Sequence, residues 1–182
     1  MSEVCTLKTL LTEEDLQAGV ARLAAAITDC YGGRPLTIVG VLTGSIVLMA
    51  DLIRQLKMPL RVGVLQASSY RGGTTRSTLT INDEMMLDIT GRDVLLVDDI
   101  FDTGHTLVQV IENLKQMEPA SVRAAVLLRK QGRCEVDFSP DFAGFDIPDE
   151  FVVGYGLDYQ DQFRNLRYLA ALEREDLLHE TP

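Results

Sequence analysis

The stretch Val94-Leu95-Leu96-Val97-Asp98-Asp99-Ile100-Phe101-Asp102-Thr103-Gly104-His105-Thr106-Leu107 constrains the fold more than any other part of the chain. Its four consecutive branched apolar residues read as a strand buried on both faces, as in a parallel sheet. Two adjacent carboxylates follow at the strand's carboxyl end, then a third carboxylate, a Thr, a Gly and another Thr. An apolar pattern at helical spacing resumes at Leu107, Val110, Ile111 and Leu114. The order is therefore strand, acidic turn, helix start. A helix start offers unpaired N–H groups and the positive end of the dipole, which suits a phosphate. Carboxylates beside an anion site are electrostatically wrong unless a cation or sugar hydroxyls lie between them. A sugar phosphate that also carries a metal ion meets both demands.

The remaining elements alternate in the same way. Thr12-Glu13-Glu14-Asp15 resembles a helix start, with Leu16, Val20, Leu23 and Ile27 on one face and Gly32-Gly33 as the stop. Leu36 to Leu42 reads as a strand that ends in Thr43-Gly44-Ser45. A helix with Ile46, Met49, Leu52, Ile53 and Leu56 follows, and Pro59 ends it. Strands are expected at Leu60 to Ser68, Ser121 to Leu128 and Phe151 to Tyr155, then a polar aromatic segment from Leu157 to Tyr168. Tyr70 to Ser77 is polar and glycine-rich, a long mobile loop by composition. This alternation predicts an α/β fold with a mostly parallel sheet flanked by helices, and no linker divides residues 1–182 into more than one domain. Ligands in such folds sit beyond the carboxyl ends of the strands, so Thr43-Gly44-Ser45 and Asp98 to Thr106 should share one crevice.

Composition narrows the chemistry. Among the 182 residues, 17 Lys and Arg face 27 Asp and Glu, a net charge of −10 that argues against broad nucleic-acid or anionic-membrane binding. No apolar run approaches a membrane span, and no secretory signal pattern opens the chain. Cys5, Cys30 and Cys134 are widely spaced with no CxxC pair, and fit reduced packing thiols in a cytoplasmic protein. With His105 and His179 as the only histidines, any metal should be a hard, oxygen-bound ion such as Mg2+. Capping accounts for one residue of the acidic turn, but not for three carboxylates with two threonines and a glycine. The Asp-Asp-x-x-Asp pattern of isoprenyl-chain synthases lies on a helix, whereas here a strand runs into it. Walker A and Gly-x-Gly-x-x-Gly loops are absent.

Val97 to Thr106 resembles the phosphoribosyl-diphosphate (PRPP) motif of type I phosphoribosyltransferases. The resemblance implies that family's fold, with a small hood subdomain and a mobile lid. It implies a PRPP and nucleotide-phosphate site formed by Asp98, Asp99, Ile100, Phe101, Asp102, Thr103, Gly104, His105 and Thr106. Asp98 and Asp99 would engage the ribose hydroxyls, partly through Mg2+, and Asp102 to Thr106 would grip the 5′-phosphate. Phe142 to Tyr159 resembles the base-binding region of the hypoxanthine-guanine members. By that likeness Phe151 stacks on the purine, the backbone of Val152 bonds its edge, and Asp158 contacts both the edge and a metal. Lys130 falls where the family reads position 6 of the base. An ammonium only donates and a 6-oxopurine accepts there, so adenine would leave both groups unpaired.

Further expectations follow from the same likeness. Thr43 and Gly44 correspond to a diphosphate-touching loop in which many members carry a basic residue where Thr43 stands, with Leu42–Thr43 the candidate for a cis peptide. Arg164 would add a cation for diphosphate, and Ser69 and Tyr70 would sign the lid. Asp102 is the candidate acid/base toward purine N7. The implied reaction converts PRPP and hypoxanthine or guanine to IMP or GMP and diphosphate. A dimer or tetramer is the family's usual assembly. Two rival readings are a PRPP-sensing regulator and a transferase acting on xanthine or uracil. The acidic tail from Glu173 to Pro182 carries no signal.

Overall fold

The computed structural model describes residues 7–69, 79–82 and 87–172, with side chains described over 7–67 and 87–172. The central strand forms as the apolar run requires. β5 (Asp93–Phe101) lies between β2 (Leu36–Leu42) and β6 (Ser121–Lys130), parallel to both. Its side chains alternate between two cores. Leu95 and Val97 pack with α1 (Glu13–Tyr31) and α2 (Ile46–Gln55) on one face. Val94 and Leu96 pack with α3 (His105–Lys115) on the other. All four are fully buried, and each such burial contributes roughly 1.5–3 kcal/mol.

The sheet order is β4-β3-β2-β5-β6-β7, with β3 (Leu60–Ser69) and β7 (Phe142–Ile147) flanking the parallel core. β4 (Leu79–Asn82) adds antiparallel to β3 at one edge. A second sheet, β1-β9-β8, is built from β1 (Leu7–Leu11), β9 (Leu169–Leu172) and β8 (Val152–Val153), all antiparallel. This small sheet is the counterpart of the expected hood. Among the described residues no helix is long and apolar enough to cross a membrane.

Helix boundaries follow local chemistry. Thr12 caps α1 in a reciprocal capping box: Asp15 N donates to Thr12 Oγ1 at 3.2 Å, and Thr12 N donates to Asp15 Oδ2 at 3.0 Å. Gly32, at φ 58°, ends the helix in the left-handed region, and its N–H donates to Thr28 O. The predicted faces of α1 and α3 are buried as expected. In α2 the buried residues are Leu48, Met49 and Leu52, whereas Ile46 is 47% exposed. Ile46 is the first residue of the helix and stays on its exposed N-terminal end.

Some expectations need correction, and the lid expectation lies outside the described residues. The strand expected at Phe151 to Tyr155 shrinks to Val152–Val153, because Gly154 (φ 98°) and Tyr155 (φ 51°) turn the chain out of extended geometry. Cys134 is exposed and so is no packing residue, while Cys30 is partly buried and Cys5 lies outside the described residues. β1 and β9 were not expected as strands; they pair across almost the whole chain, and a four- or five-residue run leaves little pattern. Tyr70 to Ser77, with the proposed lid residue Tyr70, lies outside the described residues, as does the side chain of Ser69.

Candidate active site

The carboxyl ends of β2 and β5 open onto one cleft of about 340 Å3, whose walls include Thr43, Gly44, Asp98, Asp99, Asp158 and Arg164. The phosphate loop from Ile100 to Gly104, with Thr106, completes it. The two turns that the chain order placed together are therefore neighbours. The Leu42–Thr43 peptide is cis, as expected. Gly44 is required by close approach: a Cβ there would overlap the carboxylate of Asp99. Ser45 turns its hydroxyl back to Val41 O at 2.6 Å instead of capping α2.

Asp98 is 8% exposed, and its Oδ1 accepts the Asp99 N–H at 3.0 Å. Burial, then the charge of Asp99, pushes the Asp98 carboxyl well above the usual carboxylate range. Burial also raises Asp99, against the pull of hydrogen bonds and of Arg164's charge. Two neighbouring acids that resist ionisation, one buried and one partly buried, are stabilised by a cation or by hydroxyl donors brought between them. Among the described residues no three His, Cys, Asp or Glu side chains converge on one point. The acid pair fits an ion of the magnesium type, which binds through one or two carboxylates and completes its shell with substrate oxygens and water.

The helix start beyond the pair is open. Gly104, at φ 90°, is the N-cap of α3, and no side chain caps its N–H groups. Capping therefore does not explain Asp102 or Thr103. A Cβ on Gly104 would strike Val136 and the Phe101 ring, so glycine answers both the backbone angle and the packing there. His105 Nε2 lies 3.1 Å from Glu135 Oε2. Asp102 instead faces two cations: Lys130 Nζ at 3.2 Å on Oδ2 and Arg133 Nε at 3.0 Å on Oδ1. Burial raises its carboxyl, but hydrogen bonds and charges from Arg133 and Lys130 outweigh this and hold it below the ordinary range.

The remaining expected residues are grouped less tightly. The Lys130 side chain is only 10% exposed and also faces Asp149 Oδ1 at 3.6 Å. Phe151 is 41% exposed, with its ring edge-on to Tyr159 at 5.5 Å, while Val152 is buried. Lys130, Phe151 and Val152 do not line the cleft itself, and Asp102 is the bridge between it and Lys130. Asp158 and Arg164, expected on metal and diphosphate, hold each other at 2.7 Å. Asp158 Oδ2 also accepts Asp161 N, and Arg164 Nη1 donates to Gly156 O at 2.8 Å. Arg133, Glu135 and Asp149 were not singled out from the sequence. The basic spacing of Arg129, Lys130 and Arg133 was the available signal, and it reads equally well as a solvated strand end.

A parallel sheet whose central strand ends in an acid pair and an uncapped helix start is the kind of α/β crevice that suits a sugar phosphate. The phosphoribosyl transferase domain family matches residues 6–160. A hypoxanthine phosphoribosyltransferase from Haemophilus influenzae is 43% identical over 171 residues, covering 92% of this chain and 96% of its own. A hypoxanthine-guanine phosphoribosyltransferase from Staphylococcus epidermidis is 42% identical, covering 91% and 93%. Among solved structures, the hypoxanthine phosphoribosyltransferase from Trypanosoma cruzi in complex with the product IMP superposes with a TM-score of 0.86 at 36% identity, covering 96% and 98%. The chain belongs to the phosphoribosyltransferase family, within its hypoxanthine and hypoxanthine-guanine branch.

Proposed function

We infer that the chain is a purine-salvage enzyme that transfers the 5-phosphoribosyl group from PRPP to N9 of hypoxanthine, with guanine as second acceptor. IMP or GMP and diphosphate are the products. The carrying observation is the continuity of charge from Asp98 and Asp99, through the open helix start, to Asp102 and Lys130. The family membership and the likeness to a relative solved with IMP support it.

Each residue has a role that its surroundings support. The N–H groups of Thr103 to Thr106 hold the 5′-phosphate at the positive end of α3. Asp98 and Asp99 accept the ribose hydroxyls and offset charge developing on the ribosyl carbon. Asp98 and Asp99 would hold one Mg2+ and Asp158, once parted from Arg164, would hold a Mg2+ of its own; the metal would supply charge neutralisation of the departing diphosphate. Arg164 and the backbone of Thr43 and Gly44 take the diphosphate itself. Lys130 donates to O6 of the base, Phe151 supplies a stacking face and Val152 offers its backbone to the purine edge. Asp102 exchanges a proton with N7 as N9 forms its bond. A cytoplasmic location belongs to the same proposal, supported by the free thiols of Cys30 and Cys134.

The test is turnover of hypoxanthine with PRPP and Mg2+, with the product identified by mass. IMP and diphosphate in equal amounts are expected. No product from any purine or pyrimidine base, with PRPP still bound, would return the chain to a PRPP-sensing regulator.

A further inference from the structure

The connection between β6 and β7 is fastened along the phosphate loop. Glu135 N donates to Thr103 O at 3.0 Å, and the His105–Glu135 pair closes beside it. Val136 fills the space beneath Gly104, and the Phe138 ring lies 6.2 Å from that of Phe101. This seating delivers Arg133 to Asp102. Arg133 Nε and Lys130 Nζ occupy different oxygens of the Asp102 carboxylate. Both cations also face Asp149 Oδ1, at 3.7 Å and 3.6 Å. Two cations and two carboxylates thus close a ring at the point where the acceptor base is proposed to enter.

The two cations are not equivalent. Lys130 is the group proposed to donate to O6, so binding of the purine draws it from Asp102. Arg133 holds the oxygen that Lys130 leaves alone, and its connection is anchored to the phosphate loop whether or not a base is present. We propose that Arg133 is a positioning residue for phosphoribosyl transfer, holding the Asp102 carboxylate aimed at the acceptor once Lys130 has turned to the purine. This inference rests on the base-site reading given under Proposed function. In this role Arg133 acts on the transfer through Asp102, and its loss leaves PRPP binding nearly intact. The charged groups facing Asp102 are Lys130 and Arg133, with Asp149 behind them, so removing Arg133 leaves the carboxylate one cation and an easier protonation.

The test compares wild type, Arg133→Ala, Arg133→Lys, Asp102→Asn and the Arg133→Ala/Asp102→Asn double variant. In Arg133→Ala, kcat with hypoxanthine should fall about tenfold or more while KM for PRPP moves less than about threefold. The acid limb of its pH profile should shift to higher pH, and Arg133→Lys should return part of both effects. On the Asp102→Asn background, Arg133→Ala should cost less than about twofold, because the group it serves is gone. An undiminished loss on that background, or an acid limb that stays in place, would overturn the inference. The Arg133 side chain is 44% exposed, so folding is expected to survive the substitution. Should the alanine variant melt early, the lysine variant decides in its place: an acid limb shifted to higher pH supports the role, and one that stays in place overturns it. A wild type that makes no IMP fails the reading of the site. An active wild type with additive losses fails only the role of Arg133.

Discussion

At Gly44 the main chain runs against the carboxylate of Asp99, and a single methyl group has nowhere to go. Gly44→Ala should therefore displace Asp99 and lower kcat/KM for PRPP by about tenfold or more, an effect of the size expected when a charged group is moved off its target. Circular dichroism should show the fold retained. Asp102→Asn belongs to the same scale. It keeps the shape of the side chain and removes its proton affinity, so turnover should fall far more than PRPP affinity; near-normal turnover would end its acid/base role. The pair Asp98–Asp99 has the opposite relation to stability. Because burial raises both carboxyls, and the charge of Asp99 raises Asp98 further, the folded chain keeps protons that the unfolded chain releases. Stability of the ligand-free protein should therefore fall as pH rises from about 4 through the raised values. Asp98→Asn removes that penalty. It should raise the thermal midpoint at neutral pH by about 2–4 °C, corresponding to ~1 kcal/mol, and abolish turnover, as expected for a site that trades stability for function. An unchanged or lower midpoint would show that the pair is already neutralised in the free protein.

Elements differed in how readable they were. β5 was plain in the sequence because a strand covered on both faces must be continuously apolar, and Val94 to Val97 satisfy two cores at once. α1 and α3 were readable for a related reason, each having one buried stripe and a defined start. Leu96→Ala should cost about 2–5 kcal/mol, measured by urea denaturation, since Leu96 is completely buried between the sheet and α3. β1 and β9 were hidden because their pairing is long-range and their runs are short: Leu7 meets Leu172. The cluster of Asp102, Lys130, Arg133 and Asp149 was half visible. Asp102 and Lys130 stood in motifs, whereas Arg133 and Asp149 acquire meaning only when the ends of β5, β6 and β7 are side by side.

At the scale of the molecule, the parallel sheet brings two sequence motifs to one end, and the second sheet gathers β8 beside the chain's early and late strands. Donor and acceptor chemistry thereby come from different parts of the chain. In the proposed reaction β2 and β5 would carry the groups for PRPP, while β6 and the segment from Asp149 to Asp158 would carry those for the base. The carboxylate of Asp102 and the Asp158–Arg164 pair are where the two sets meet. On the proposed assignment, acceptor choice would be a property of Lys130 and its neighbours rather than of the loop from Asp102 to Thr106. The most direct measurement is the ratio of kcat/KM across hypoxanthine, guanine, xanthine, adenine and uracil at fixed PRPP and Mg2+. Hypoxanthine and guanine should be turned over well, with adenine lower by about 10^4-fold or more because it leaves a buried donor unpaired. Turnover of uracil alone, or of adenine at a rate near that of hypoxanthine, would contradict the account.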